Sequence, residues 1–152
     1  MNRIRITLLL IIFTSSIACS TTNILQEKPK KLAFEESLYA EIGQQVALDK
    51  IVDNLINIIG QDDVVFSHFA DSNIAHFRIK LSLFLCQITD GPCQYNGDNM
   101  EDIHRGMKIN INQFNHFVEL FITAMDTANI AYPTQNKLLA RLAALRKTII
   151  KI

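Results

Sequence analysis

Helical spacing of apolar residues, repeated four times with every glycine falling between the repeats, constrains this chain more than any other feature. Leu48, Ile51, Val52, Leu55, Ile56 and Ile59 make one stripe, and Ile74, Phe77, Leu81, Phe84, Leu85 and Ile88 a second. Phe114, Phe117, Val118, Phe121, Ile122 and Met125 make a third; Leu138, Leu142, Leu145 and Ile149 mark a fourth, predicted from about Thr134 to Ile149. Residues three and four apart share a helix face, so each stripe predicts an amphipathic helix. A shorter amphipathic piece surrounds Leu38, Tyr39 and Ile42, and no useful length alternates with the period of two that a strand needs. The expectation is an all-α domain.

Punctuation agrees with this division. Gly43, Gly60, Gly91, Gly97 and Gly106 lie between stripes, Pro92 and Pro133 at boundaries, and Asn110 with Gln113 has the spacing of a capping pair opening the third long helix. Residues 89–109 are rich in Gly, Asp and Asn, with a brief helix expected near Met100 to His104. A loop that long in a domain with one core usually serves a site.

The first residues form a separate unit. Arg3 and Arg5 precede an apolar run from Ile6 to Phe13, then Thr14, Ser15 and Ser16. That is the pattern of a signal peptide, too short for the about 20 apolar residues of a membrane-crossing helix. Ser16-Ile17-Ala18-Cys19 resembles the lipobox of bacterial lipoproteins, although Ser16 stands where Leu is usual. The resemblance implies lipidation of Cys19 after cleavage and anchoring to the cell-envelope membrane. The expected division is 1–18 signal peptide, 19–33 lipidated N-terminus and flexible tether, and 34–152 the folded domain. Charge is balanced at 15 basic and 15 acidic residues, and removing Arg3 and Arg5 leaves 13 against 15. Such a surface offers no electrostatic case for nucleic acid. Cys86 and Cys93 remain, seven apart; an oxidising compartment permits their disulfide, and two buried thiols suit the pattern as well.

Among chemical motifs, no nucleophile turn, phosphate-cradling glycine loop, HExxH or EF-hand spacing occurs. Hydrolysis and nucleotide chemistry are therefore poor expectations. His68, His76, His104 and His116 are left as candidate ligands. His116 lies off the apolar face of its helix, toward solvent. His104 stands apart because it lies in the irregular segment, two residues before Gly106.

From Leu38 to Ile149 the chain resembles the group one truncated haemoglobins. The resemblance rests on Leu38-Tyr39-Ala40-Glu41-Ile42-Gly43, Asp62-Asp63, Phe69 and Leu83-Phe84-Leu85-Cys86-Gln87. It continues through the run from Gly91 to Met100, His104-Arg105-Gly106, and Leu138-Leu139-Ala140-Arg141-Leu142. It implies a two-over-two helical sandwich around haem b, with His104 as proximal iron ligand, Phe69 packed on the porphyrin, and Lys80 near a propionate. Tyr95 and Met100 would shape the pocket beside the short proximal helix. On the distal side the family commonly has Tyr where Ile56 stands and Gln where Leu81 stands, and Phe77 occupies the place of the distal His of other globins. Oxygen bound in such a pocket carries partial negative charge, and a charge-assisted hydrogen bond to it contributes about 1.5–3 kcal/mol. Three apolar positions therefore predict weak discrimination in favour of oxygen over carbon monoxide or nitric oxide; the alternative, a rescue by His76 or His68 swinging inward, has no support in the spacing. The expected function is reversible binding of a diatomic gas. Alternatives are nitric oxide dioxygenation or peroxidase-like chemistry at the same iron, or a haem-free structural lipoprotein.

Overall fold

The computed structural model describes residues 36–150, so Cys19, the signal segment and the tether lie outside the described residues. Within them the elements are α1 (Leu38–Ile42), α2 (Gln44–Ile59), a 3-10 turn (Phe66–His68), α3 (Ile74–Ile88), α4 (Met100–His104), α5 (Ile111–Thr127), α6 (Tyr132–Ala143) and a second 3-10 turn (Arg146–Thr148). Helix α2 packs on both α3 and α5, α1 on α2 and α6, and α4 on the second 3-10 turn.

Local sequence explains most boundaries. Ser37 caps α1, Asn73 caps α3 and Asn99 caps α4, each side chain accepting a first-turn N–H. Asn110 and Gln113 form the full capping box expected for α5. Gly43, at φ 104°, is in the left-handed region where α1 gives way to α2, which a Cβ would strain. Helix α6 starts at Tyr132, with Pro133 in its first turn, and stops at Ala143, earlier than its leucine spacing predicts. The Leu145 N–H donates to the Leu142 carbonyl and the Thr148 N–H to the Leu145 carbonyl, so the chain tightens to i→i+3 bonding while the apolar spacing runs on.

Burial divides the molecule in two. Leu48, Leu55, Leu85, Met125 and Leu138 are fully buried and form a dry core with Phe121. Phe77, Leu81, Phe84, Phe114 and Phe117, on the same helices, are only half-buried. Side-chain pairs tie the layers: Arg78 donates to Asp53 at 2.5 and 2.8 Å, and Lys137 to Glu41 at 2.7 and 2.9 Å. Arg141 donates to the Ile88 carbonyl and, at 2.7 Å, to Asp90, placing a cation at the C-terminal end of α3.

His116, expected toward solvent, is instead paired with Asp62, Nε2 to Oδ2 at 2.6 Å. Asp62 sits in the turn after α2, where its other oxygen accepts the Val64 and Val65 N–H groups, and that turn brings it against α5. The carboxylate raises the His116 pKa above its ordinary 6.5, and the imidazolium holds Asp62 below its ordinary 3.8. A raised imidazole stabilises below 6.5 and loses that contribution as pH climbs through its folded value; a depressed carboxylate stabilises above 3.8 and loses it on acidification. The pair therefore contributes most between those two values. Melting temperature should fall from pH 6 toward pH 9 in the natural protein and flatten over that range in His116→Gln; parallel profiles would remove this role from the pair.

Candidate functional site

The half-buried aromatic residues surround a cavity of about 1120 Å³ between α3, α4 and α5, closed at one end by the second 3-10 turn. Ligand sites usually run to about 300–1000 Å³, so this one has room for a large group, and its lining is mainly apolar. His104, Phe69, Phe77, Lys80, Leu81, Tyr95 and Met100 all line it, which brings together every cofactor-facing residue expected from sequence. Ile56 does not line it: with Phe69 and Phe77 it borders a separate apolar recess of about 130 Å³.

His104 is the last residue of α4, a helix of five residues held by its Asn99 cap and by Arg105 donating to Asp102 at 2.7 Å. Its Nδ1 lies 2.6 Å from the Met100 carbonyl oxygen, one turn back. A carbonyl can only accept, so Nδ1 carries the proton and Nε2 keeps its lone pair. That is the tautomer and orientation a metal-binding imidazole needs. Among the described residues no cluster of three or more His, Cys, Asp or Glu could hold a bare metal ion. A metal on His104 would need its remaining ligands from the group filling the cavity. A macrocycle meets both demands, and haem fits the residues present.

The loop from Thr89 to Asn99 is built to place α4. Cys86 and Cys93 are joined in a disulfide, with Cα atoms 5.8 Å apart, which resolves the two readings that spacing left open. A Cβ at Gly91 would come within 2.6 Å of Cys86 Sγ and 2.7 Å of the Tyr39 ring, so only glycine passes beneath that bridge. Tyr95 accepts an edge contact with Phe84 at 5.4 Å between centroids; its N–H donates to Gln87 at 2.7 Å and its hydroxyl to the Asp98 carbonyl at 2.9 Å. Burial, helped by the Asp98 charge, raises the Tyr95 pKa and keeps the phenol a donor. Gly97 lies flat against that ring. Lys80 donates to Asn96 Oδ1 at 2.7 Å, tying α3 to the loop at the cavity rim, where an anionic group could join it.

On the distal wall Phe77 and Leu81 are apolar, as expected, with Phe77 edge-on to Phe69 at 5.0 Å. One polar residue of the cavity lining was named from sequence without support for its direction. His68 also lines it, and its Nε2 is buried with no hydrogen-bond partner among the described residues. Spacing gave no direction for a side chain on a three-residue turn; its place next to Phe69 was the only available signal.

An all-helical domain wrapping an apolar cavity, with one imidazole presented from a short helix, has the architecture of a globin. Residues 37–151 match the bacterial-like globin family. The group 1 truncated hemoglobin GlbN of Nostoc sp. (strain MUN 8820) is 30% identical over 114 residues, covering 75% of this chain and 97% of its own length. Its counterpart from Nostoc commune is 37% identical over 73 residues, 48% of this chain and 62% of that one. The crystal structure of truncated hemoglobin from Tetrahymena pyriformis, Fe(III) form, superposes with a TM-score of 0.74 at 20% identity, covering 77% of this chain and all 100% of that chain. The protein belongs to the bacterial-like globin family, in its group 1 truncated branch, and has the two-over-two helical fold.

Cross-linking the seven-residue interval between Cys86 and Cys93 restricts the unfolded chain, an effect of about 2–3 kcal/mol for so short a loop. Replacing both cysteines by serine should lower the denaturant midpoint accordingly, and a reductant should do the same to the natural protein. Equal midpoints in all three samples would mean that the bridge contributes nothing to stability.

Proposed function

We propose that this protein binds haem b through His104 and reversibly holds a diatomic gas at its iron, outside the cytoplasm, on a membrane tether. The observation that carries the reading is the His104 imidazole, its Nδ1 proton committed to the Met100 carbonyl, at the wall of an apolar cavity. Bound haem would supply the iron that meets the gas. The chain's own residues do the rest: His104 holds the metal, Phe69, Leu81 and Phe84 exclude water, and Lys80 meets a propionate at the rim. The cysteine inventory supports noncovalent haem. Among the described residues the cysteines, Cys86 and Cys93, are joined in a disulfide and do not line the cavity, so neither offers a thiol for a thioether link.

Export is supported by the same disulfide, since such bonds persist chiefly in oxidising compartments. The signal pattern ahead of Ser16-Ile17-Ala18-Cys19 supports cleavage before Cys19 and acylation of its thiol, with residues 20–33 as a coil whose reach is on the order of 20 Å.

Reconstitution with haem should give a Soret band that survives gel filtration. In His104→Ala retention should fall by more than the about 10–100-fold typical of losing a supporting residue, because the metal ligand itself is gone. A natural protein that gives no band, or a variant with an unchanged spectrum, would overturn the assignment. For the tether, labelled palmitate should enter the natural protein and the protein should sediment with membranes. Cys19→Ala should take up no label; equal labelling of the two would remove Cys19 from this role.

A further inference from the structure

The loop that walls the cavity between α3 and α4 begins at the one covalent cross-link among the described residues. Cys86 lies in the last turn of α3, directly after Leu85 of the cavity wall, and Cys93 lies two residues before Tyr95, Asn96, Gly97 and Asp98, which line the same cavity. Cys86 is fully buried and Cys93 half-buried. The Cys93 sulfur also lies 3.6 Å from Gln45 Oε1 on α2, an oxygen that no other donor meets among the described residues. The far end of the amide fixes this orientation. Gln45 Nε2 donates to Asp49 Oδ1 at 2.9 Å and to Ser82 Oγ at 2.6 Å, and a carboxylate can only accept, so the amide oxygen is held toward the sulfur.

A disulfide sulfur has no proton to give, so this acceptor stands idle while the bridge is closed. Reduction would give Cys93 an S–H with its acceptor already in place, and the buried Cys86 thiol would behave as a small apolar side chain. The site is furnished for both states of the cysteine pair, and a purely structural bridge has no use for the second. Resting on the haem reading above, we infer that Cys86 and Cys93 form a reversible redox switch on haem retention, with Gln45 stabilising the dithiol form. The reductant is an external dithiol. One of its thiolates attacks the sulfur of Cys93, the more accessible partner; the S–S bond breaks, and Cys86 leaves as a thiolate that takes up a proton. The second thiol of the reductant then attacks the mixed disulfide, releasing Cys93 as a thiol and the reductant as its own disulfide, two electrons and two protons having passed to the protein. In an oxidising compartment the bridge stays closed until such a dithiol reaches it. Opening it leaves the loop to weaker ties, from the Tyr95 N–H to Gln87 and from Lys80 to Asn96. The residues between gain backbone freedom that haem binding must remove again, so retention weakens in the reduced form.

The switch is tested by titrating the natural protein and Gln45→Leu with dithiothreitol, counting free thiols by alkylation, and following haem transfer to an acceptor apoglobin with the iron in one oxidation state. The natural protein should open its bridge while far-ultraviolet circular dichroism is unchanged, and Gln45→Leu should need about two- to tenfold more reductant, having lost one hydrogen bond to the reduced form. Haem loss should be on the order of tenfold faster from the dithiol form, the scale of re-ordering about one residue. The double variant Cys86→Ser/Cys93→Ser should lose haem at the faster rate with or without reductant. Amide hydrogen exchange at Tyr95 and Asn96 should quicken on reduction before any haem is added. A bridge that opens only as the protein unfolds, equal thiol titrations of the natural protein and Gln45→Leu, or equal haem loss from the disulfide and dithiol forms would each overturn the inference. A missing Soret band before reductant is added would defeat the haem reading instead, and the thiol titration and amide exchange then decide whether the bridge is a switch.

Discussion

A domain of this size cannot leave a cavity of about 1120 Å³ empty without forfeiting the contacts that close packing provides. The rest of the structure is organised by that constraint. Phe77, Phe84, Phe114 and Phe117 are half-buried because they await a face to pack against, not because their helices are poorly formed. The loop after α3 is cross-linked, glycine-threaded and anchored by Tyr95 because it must hold the cavity wall open and present α4 across it. His104 then needs only one bond, to the Met100 carbonyl, to display a single defined nitrogen.

The two ends of the helical sandwich have different energetic characters. Away from the cavity Leu48, Ile51, Met125 and Leu138 are wholly removed from water and α2 packs on two neighbours at once. Beside the cavity, α4 has five residues and touches the domain mainly through the Arg146–Thr148 turn. Short helices contribute little stability of their own, so α4 depends on its Asn99 cap, its loop and whatever it binds.

What could be read from residues alone was what is local. The stripes of α2, α3 and α5 and the Asn110–Gln113 capping box rest on neighbours within one or two turns, and they stand in the structure where spacing puts them. The His104 position was legible through family resemblance, although its bond to Met100 was not. Features set by long-range contact stayed hidden. The end of α6 was missed because Leu145 and Ile149 keep the apolar spacing after the hydrogen bonding has changed. The Asp62–His116 pair joins residues 54 apart, and the Cys86–Cys93 bridge depends on the path of the loop beneath it. The aim of His68 depends on how a three-residue turn sits between two helices, which no periodicity encodes.

The unequal division of burial has a consequence for how the molecule comes into being. The buried core has its apolar contacts without an occupant, whereas the half-buried aromatic residues of the cavity wall and α4 gain their missing contacts only from one. Whatever fills the cavity therefore adds its binding free energy to one half of the domain through mass action, and protection from hydrogen exchange should be graded from the Leu138 end to the Met100 end until the occupant arrives.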